Sequence, residues 1–243
     1  MKIFITDGTA TAFFTAVFYA YKENNCIITS DNSIQLTFDS EVIRITGDKD
    51  KNERVQNAIL KYDEYAVDDV IFALRSGSTK KEQIAFGYLK VLLEKKSPIS
   101  KMLSIPQVID FNEAMRKITG ESHMCKGFLR FTETHEGVLY APYSPDNDIT
   151  DLLMPHFAKR FNGEKFVIHD VKRNIAGIYN REEWITCYAG EAEIRLSESE
   201  NFFKNLWKKY YNCVNIAERP HIKQMKDYMP VRYWKFMPEK NGN

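Results

Sequence analysis

The stretch Gly127-Phe-Leu-Arg-Phe-Thr-Glu-Thr-His-Glu-Gly-Val-Leu-Tyr-Ala-Pro-Tyr143 decides the fold that we predict for the second half of the chain. Two runs of strand-forming residues flank Thr134-His-Glu-Gly137, which has the composition of a turn. Strands joined by so short a connection pair antiparallel. The stretch therefore predicts a β-hairpin with strands at Gly127–Thr134 and Gly137–Tyr143.

The residues that follow extend this pattern. Ile149–Phe161 has the apolar spacing of a helix, and Lys165–Asp170 with Asn174–Tyr179 predicts a second hairpin. Trp184–Tyr188 predicts one more strand, and Ser197-x-x-Glu200 is a capping box that predicts the start of another helix. We therefore expect an α+β fold whose antiparallel sheet is built from two β-hairpins that bracket a helix.

The first half of the chain predicts a mainly helical part with a short N-terminal strand. Lys2–Thr6 predicts that strand, and apolar side chains recur at helical spacing from Thr9 to Tyr21. Two further brief strands are predicted at Ser33–Phe38 and Val42–Ile45. The spacing is then helical from Asp48 to Thr119, so we expect a run of helices there.

The last of these helices marks the predicted domain boundary. Proline fits a first helical turn and glycine fits a helix exit, so we expect this helix to run from Pro106 to Thr119 and to end at Gly120. We accordingly divide the chain into residues 1–122 and residues 123–243. The alternative, in which both parts form one compact unit, stays open.

Composition limits the class of protein. The chain has 243 residues, 44% of them hydrophobic and 28% charged, and no apolar run approaches the length of a membrane helix, about 18 residues or more. We expect no membrane span and a cytoplasmic location. Its 4 cysteines are widely separated and form no Cys-x-x-Cys pair, so we predict neither a metal site nor a cofactor site.

Short blocks in the second half set aromatic rings beside cations. Rings offer stacking faces and cations offer phosphate partners, a combination typical of nucleic-acid surfaces. The alternative at every block is a core ring beside an ordinary ion pair. As nucleic-acid-binding residues we predict Lys126, Arg130, Arg160, Arg173, Arg232, Trp234 and Lys235.

The catalytic candidates are His156, His169 and Asp170. His156 and Arg160 are four apart on a predicted helix and so share one face, where they could form a site. Pro155 suits a first helical turn, so a helix starting there would point its N-terminal amides at an anion. His169 and Asp170 are neighbours on a strand and point to opposite faces, so they cannot form a dyad with each other.

Several motifs of known enzymes are absent from the sequence. It contains no P-loop, no Gly-x-Gly-x-x-Gly, no His-Glu-x-x-His and no cysteine-rich iron–sulfur signature. Nucleotide hydrolysis, dinucleotide chemistry and self-contained radical chemistry are therefore disfavoured.

The chain resembles a bacterial family described as DNA metabolism proteins, over nearly its whole length. The resemblance rests on Ile5-Thr-Asp-Gly8, Phe13-Phe-Thr-Ala-Val-Phe18, Lys126-Gly-Phe-Leu-Arg-Phe131, Leu139-Tyr-Ala141, Pro155-His-Phe-Ala158, Arg160-Phe161 and Arg232-Tyr-Trp-Lys235. The part from about residue 85 is similar to a domain of unknown function that is fused elsewhere to a uracil-DNA-glycosylase-like domain. Members are typically encoded beside a radical SAM protein with helix-hairpin-helix elements.

This resemblance implies a role in DNA repair or modification alongside that radical SAM partner, and it assigns no site residue. The leading hypothesis is a DNA-binding accessory protein. One alternative is a nucleic-acid-processing enzyme that uses a His/Asp/Arg site, and another is a purely structural partner subunit. Convergence of the predicted binding residues on one concave surface would distinguish these functions.

Overall fold

The computed structural model describes residues 1–34, 39–189, 197, 200, 204–206, 226 and 229–240. The chain divides into two compact units, Met1–Thr119 and Gly120–Asn243. The fold is α+β with two sheets, one in each unit.

The sheet of the first unit has three parallel strands. They are β1 (Lys2–Thr6), β2 (Cys26–Thr29) and β3 (Glu41–Ile45), in the order β2-β1-β3. The strands predicted at Lys2–Thr6 and Val42–Ile45 are confirmed. The sequence did not reveal β2, which has only four residues, and Ser33 and Ile34 lie outside any strand. The rest of the strand predicted at Ser33–Phe38 lies outside the described residues.

Helices cover this sheet, as the helical spacing predicts. They are α1 (Ala10–Ala20), α2 (Lys49–Leu60), α3 (Ala66–Ala73) and α4 (Lys81–Lys95). The Thr9 hydroxyl caps α1 by accepting a hydrogen bond from the amide of Ala12, and the Asp48 carboxylate caps α2 through the amide of Lys51. Buried aromatic side chains of α1 and α4, such as Phe13, Phe14 and Phe86, share one core with Phe4 of β1.

The next helix is longer than the sequence predicts. α5 runs from Pro106 to Phe128 and passes straight through Gly120, where we expected it to end. Glycine in a helix costs only about 1 kcal/mol relative to alanine, and the buried Glu121, Ser122 and Cys125 keep one face of the helix in contact with the protein interior beyond that point. Residues 127 and 128 are therefore helical, and the predicted strand Gly127–Thr134 shrinks to β4 (Thr132–Glu133).

The sheet of the second unit is mixed, which corrects the expectation of an antiparallel sheet. Its strands are β4, β5 (Leu139–Tyr143), β6 (Phe166–Asp170), β7 (Ile175–Tyr179) and β8 (Trp184–Tyr188), paired in that order. The pairs β4–β5, β6–β7 and β7–β8 are antiparallel, but β5 and β6 are parallel. The helix between them carries the chain back along the sheet, which is the connection that parallel neighbours require.

That helix is α6 (Thr150–Arg160), and it contains Pro155 in its interior. It therefore begins earlier than a start at Pro155 would imply, and its N-terminal amides do not lie beside His156. The helix contacts the sheet closely at Gly177, where an added Cβ would come within 3.0 Å of Met154 Cγ and 3.2 Å of Thr150 Cγ2. Leu153, Met154 and Phe157 are buried in this layer.

The described C-terminal segment, residues 229–240, carries a 3₁₀ helix at Val231–Phe236. Tyr233 and Met237 are buried, so this segment is part of the second unit rather than a free tail. The helix predicted to start at Ser197 falls largely outside the described residues. Among the residues that the structure describes, no helix is both long enough and apolar enough to cross a membrane.

Candidate functional site

The side chain of Glu121 organises the polar interior of the second unit. Only 3% of this residue is exposed, and its carboxylate accepts hydrogen bonds from the amides of Asp146 and Asn147 at 2.9 and 2.8 Å. It also accepts one from Arg232 Nη2 at 2.8 Å and one from the Tyr233 hydroxyl. Burial by itself would raise the pKa of Glu121, but these hydrogen bonds outweigh it and hold the pKa below its ordinary value.

This arrangement gives Arg232 a structural role. The guanidinium bridges Glu121 and Asp146, with Nη2 lying 2.9 Å from Asp146 Oδ2. The side chains of Trp234 and Lys235 contact residues of their own segment. Trp234 Nε1 donates to the carbonyl of Met229 at 3.0 Å, and Lys235 Nζ lies 4.7 Å from the centroid of the Phe236 ring. Of these three predicted binding residues, Arg232 ties the C-terminal segment to Glu121 and Asp146, and Trp234 and Lys235 contact residues of the segment itself.

Arg130 fastens the end of the same segment. Its Nε and Nη2 atoms donate to Glu239 Oε1 at 3.0 and 2.8 Å, and Nη1 donates to the carbonyl of Gly127 at 2.8 Å. Phe128 and Arg130 are not on one strand, because residue 128 is the last residue of α5, and the Phe128 ring contacts Tyr233.

Asp170 and Arg173 form an ion pair at the β6–β7 turn. Asp170 is fully buried and accepts the side chain of Arg173 at 2.8 Å together with the amides of Lys172 and Arg173. Arg173 also donates to the carbonyls of Pro145 and Asp146. This pair ties two connections of the unit together.

His169 lies on the opposite face of β6 from Asp170, as the strand spacing predicts. Its Nδ1 atom is 2.8 Å from the Tyr140 hydroxyl and its Nε2 atom is 3.3 Å from Asn174 Oδ1, so both ring nitrogens are engaged. The structure does not bring His156, His169 and Asp170 to one place.

Three of the predicted residues do come together. Lys126 in the last turn of α5 and Arg160 in the last turn of α6 lie close enough to His156 for their charges to act on its ring. Burial lowers the pKa of His156, and the charges of Lys126 and Arg160 lower it further. We call Lys126, His156 and Arg160 the cation cluster.

The cation cluster differs from the other predicted cations in its partners. Arg130, Arg173 and Arg232 each bind a carboxylate. Neither Lys126 nor Arg160 forms an ion pair with a carboxylate among the residues that the structure describes, and Arg160 instead lies with its guanidinium carbon 5.6 Å from the centroid of the Phe161 ring. The positive charge of this cluster is therefore available to an anion.

A groove of about 920 Å³ borders the cluster at Arg160. Its walls are mostly apolar, and we call it the phenylalanine groove. It is lined by Gly127, Leu129, Arg130, Phe131, Glu133, Leu139, Phe157, Arg160, Phe161, Glu200, Lys204, Leu206 and Pro238. The Phe131 ring lies 5.0 Å from Phe157, 4.7 Å from Phe161 and 5.9 Å from Phe166, measured between centroids.

Sequence reasoning missed Glu121 and Glu239, the carboxylates that form ion pairs with two of the predicted binding residues. Glu121 carried a usable signal, because it falls on the apolar face of α5 marked by Ile118 and Cys125. A lone acid on such a face predicts a buried, paired carboxylate. Glu239 carried no comparable signal, since its partner Arg130 lies more than one hundred residues earlier in the chain.

Among the residues that the structure describes in this unit, the buried thiol of Cys125 is a poor nucleophile. Burial raises the pKa of the Cys125 thiol to about 12, so the thiolate that would react is disfavoured. No group of three or more His, Cys, Asp or Glu side chains arranged to hold a metal ion occurs in the described part of the chain.

The fold and this surface define an α+β protein with a cationic and aromatic face on its second unit. Residues 79–239 match the family of the domain of unknown function DUF4130, and the chain belongs to that family. The chain matches no curated protein and no solved structure.

Proposed function

We propose that this chain is a DNA-binding accessory protein that binds phosphates at the cation cluster. The observation that carries the proposal is the convergence of Lys126, His156 and Arg160 beside an apolar groove, with no carboxylate paired to Lys126 or Arg160 in the described residues. Like charges placed together repel one another, and a phosphate bound between them would relieve that repulsion.

A structural explanation exists for each cation taken singly. Basic side chains in the last turn of a helix favour the negative end of its dipole, and both Lys126 and Arg160 occupy such positions. That explanation treats the two cations separately, whereas the charges of both act on the ring of His156. An anionic ligand accounts for all three.

The partner belongs to the proposal as well. By its resemblance to the DNA metabolism family, the protein acts alongside a radical SAM protein with helix-hairpin-helix elements. This chain would supply DNA contacts, and the partner would supply the chemistry. Copurification of the two proteins tests this half, and the absence of a complex at micromolar concentrations would contradict it.

DNA binding is tested by the affinity for an oligonucleotide over a salt series. We expect the logarithm of the affinity to fall linearly with the logarithm of salt concentration, and R160A or K126A to reduce the slope by about 1 each. K172A is the matched control, because Lys172 is an exposed cation at the β6–β7 turn outside the cluster. No binding at low salt, or an equal loss in K172A, would contradict the proposal.

A further inference from the structure

The phenylalanine groove combines two kinds of ring. Phe157 and Phe166 are buried, with 1% and 0% of their surface exposed, whereas Phe131 and Phe161 are half-buried and line or border the open space. The buried rings hold the half-buried ones in place, since Phe157 and Phe161 are stacked at 6.0 Å with 12° between their planes. Phe131 and Phe161 are thus fixed aromatic surfaces that do not need to be ordered on binding.

Positive charge lies beside one of these surfaces. Arg160 lies against the Phe161 ring, and the charge of Lys126 acts on the same histidine as that of Arg160. The groove lining also contains Glu133 and Glu200, and Lys204, which lines the groove too, has its Nζ 3.9 Å from Glu200 Oε1. Arg160 lines the groove and pairs with no carboxylate among the described residues, so a bound chain with a charged backbone would place a phosphate beside it.

We propose that the phenylalanine groove binds single-stranded DNA, with unstacked bases against Phe131 and Phe161 and backbone phosphates at Lys126 and Arg160. This proposal rests on the proposed function and adds the form of DNA that is bound. In a duplex the base faces are covered by neighbouring bases, so rings in a groove can reach them only where the strand is open.

The dimensions of the groove fit this ligand. Its volume of about 920 Å³ lies in the range of small-ligand pockets, about 300–1,000 Å³, so it accommodates a few bases at most. Stacking on a phenyl ring is tolerant of sequence because every base has a π-face. We therefore expect little preference among the four bases.

The test is fluorescence anisotropy with three labelled DNA probes of equal length. These are a single strand of thymidines, a duplex, and a single strand of abasic sites that keeps the phosphates and lacks the bases. We expect the full-length protein to bind the thymidine strand about tenfold more tightly than either of the other two. Equal affinity for the thymidine and abasic strands would overturn the inference and leave the proposed function standing.

Variants separate the two proposals further. We expect F161L to weaken binding of the thymidine strand about tenfold without changing binding of the abasic strand, and F161W to restore it, because tryptophan keeps a stacking ring. R160A should weaken binding of all three probes. F128L is the matched control, since Phe128 contacts Tyr233 and does not line the groove.

Two results would contradict the inference in different ways. If F161L and F128L weaken binding of the thymidine strand equally, the loss of affinity comes from impaired folding and not from the loss of a stacking ring. If F161L instead abolishes capture of the radical SAM partner and leaves DNA binding unchanged, the groove is a protein docking surface. A wild-type protein that binds none of the probes would overturn the proposed function itself.

Discussion

The guanidinium groups of Arg130, Arg173 and Arg232 lie against carboxylates that are almost fully buried. The side chains of Glu239, Asp170 and Glu121 are only 2%, 0% and 3% exposed. A buried carboxylate is costly unless it is paired and hydrogen-bonded, so these arginines are needed where they are. Lys126 and Arg160 pair with no carboxylate among the described residues, so they are the cations that we assign to a ligand.

E121Q should destabilise the protein by about 2–3 kcal/mol at neutral pH, because the amide cannot replace a carboxylate that accepts hydrogen bonds from Arg232, Tyr233 and two backbone amides. Asp146 remains as a partner for Arg232, which limits the loss. Urea unfolding measures the change. E113Q, on the same helix but in an exposed pair with Lys117, should leave the stability nearly unchanged.

Acid should remove the same stabilisation. The pKa of Glu121 in the folded protein lies below its ordinary value of 4.5, so its contribution is present above that pH and is lost as the pH falls through the lower folded value. The stability difference between wild type and E121Q should therefore shrink below pH 4.5. A constant difference down to acid pH would show that Glu121 is not held as a carboxylate.

DNA affinity should rise as the pH falls below about 6.5, the ordinary pKa of histidine. Burial and the charges of Lys126 and Arg160 hold the pKa of His156 below its ordinary value in the free protein, and a bound phosphate would favour the protonated ring. The affinity should therefore increase toward acid pH. Affinities measured from pH 8 to pH 5.5 test this: H156Q should lose the rise, whereas H135Q, in the exposed β4–β5 turn, should keep it.

Two glycines show how element packing depends on local space. An added Cβ at Gly120 in α5 meets no atom within 4 Å, whereas at Gly177 in β7 it would collide with Met154 and crowd Thr150 of α6. The first glycine is tolerated within a helix, and the second lets a helix and a strand approach closely.

G120A and G177A should therefore change stability in opposite directions. We expect G120A to stabilise the protein by about 0.5–1 kcal/mol through helix propensity. G177A should destabilise it by about 1–3 kcal/mol through overpacking. Thermal or urea unfolding of both variants measures this, and equal effects would contradict the close contact between α6 and β7.

At the scale of the whole molecule, the region that matches the family and the two compact units have different boundaries along the chain. The match with the DUF4130 family begins at residue 79, whereas the first unit extends to Thr119. The match therefore includes α4, whose Phe86 and Leu89 belong to the core that also contains Phe4 and Phe13.

A fragment of residues 79–243 should accordingly fold poorly by itself. Removing residues 1–78 would expose the apolar face of α4, so we expect dye binding and self-association that the full chain does not show. Dye fluorescence and light scattering of the two proteins measure this. A monomeric fragment that unfolds cooperatively would show that the family region is complete without the first strands and helices.

The sequence by itself determined most of the helices, the strands β1, β3, β5, β6, β7 and β8, and the α+β class. These follow from local spacing, since a helix face or strand face repeats within a few residues. The continuation of α5 past Gly120 could not be predicted from the exit signal, because packing beyond the glycine outweighed a local preference.

Only the tertiary structure decided that β5 and β6 pair in parallel. It also decided which of the predicted cations form ion pairs with carboxylates. Arg130 binds Glu239 and Arg232 binds Glu121 across more than one hundred residues of chain, and no local pattern encodes such a pair. The grouping of Lys126 with His156 and Arg160 depends likewise on where two helices end in space. Residue types therefore predicted short cationic and aromatic blocks in the second half of the chain, while packing selected the few side chains that remain available to a ligand.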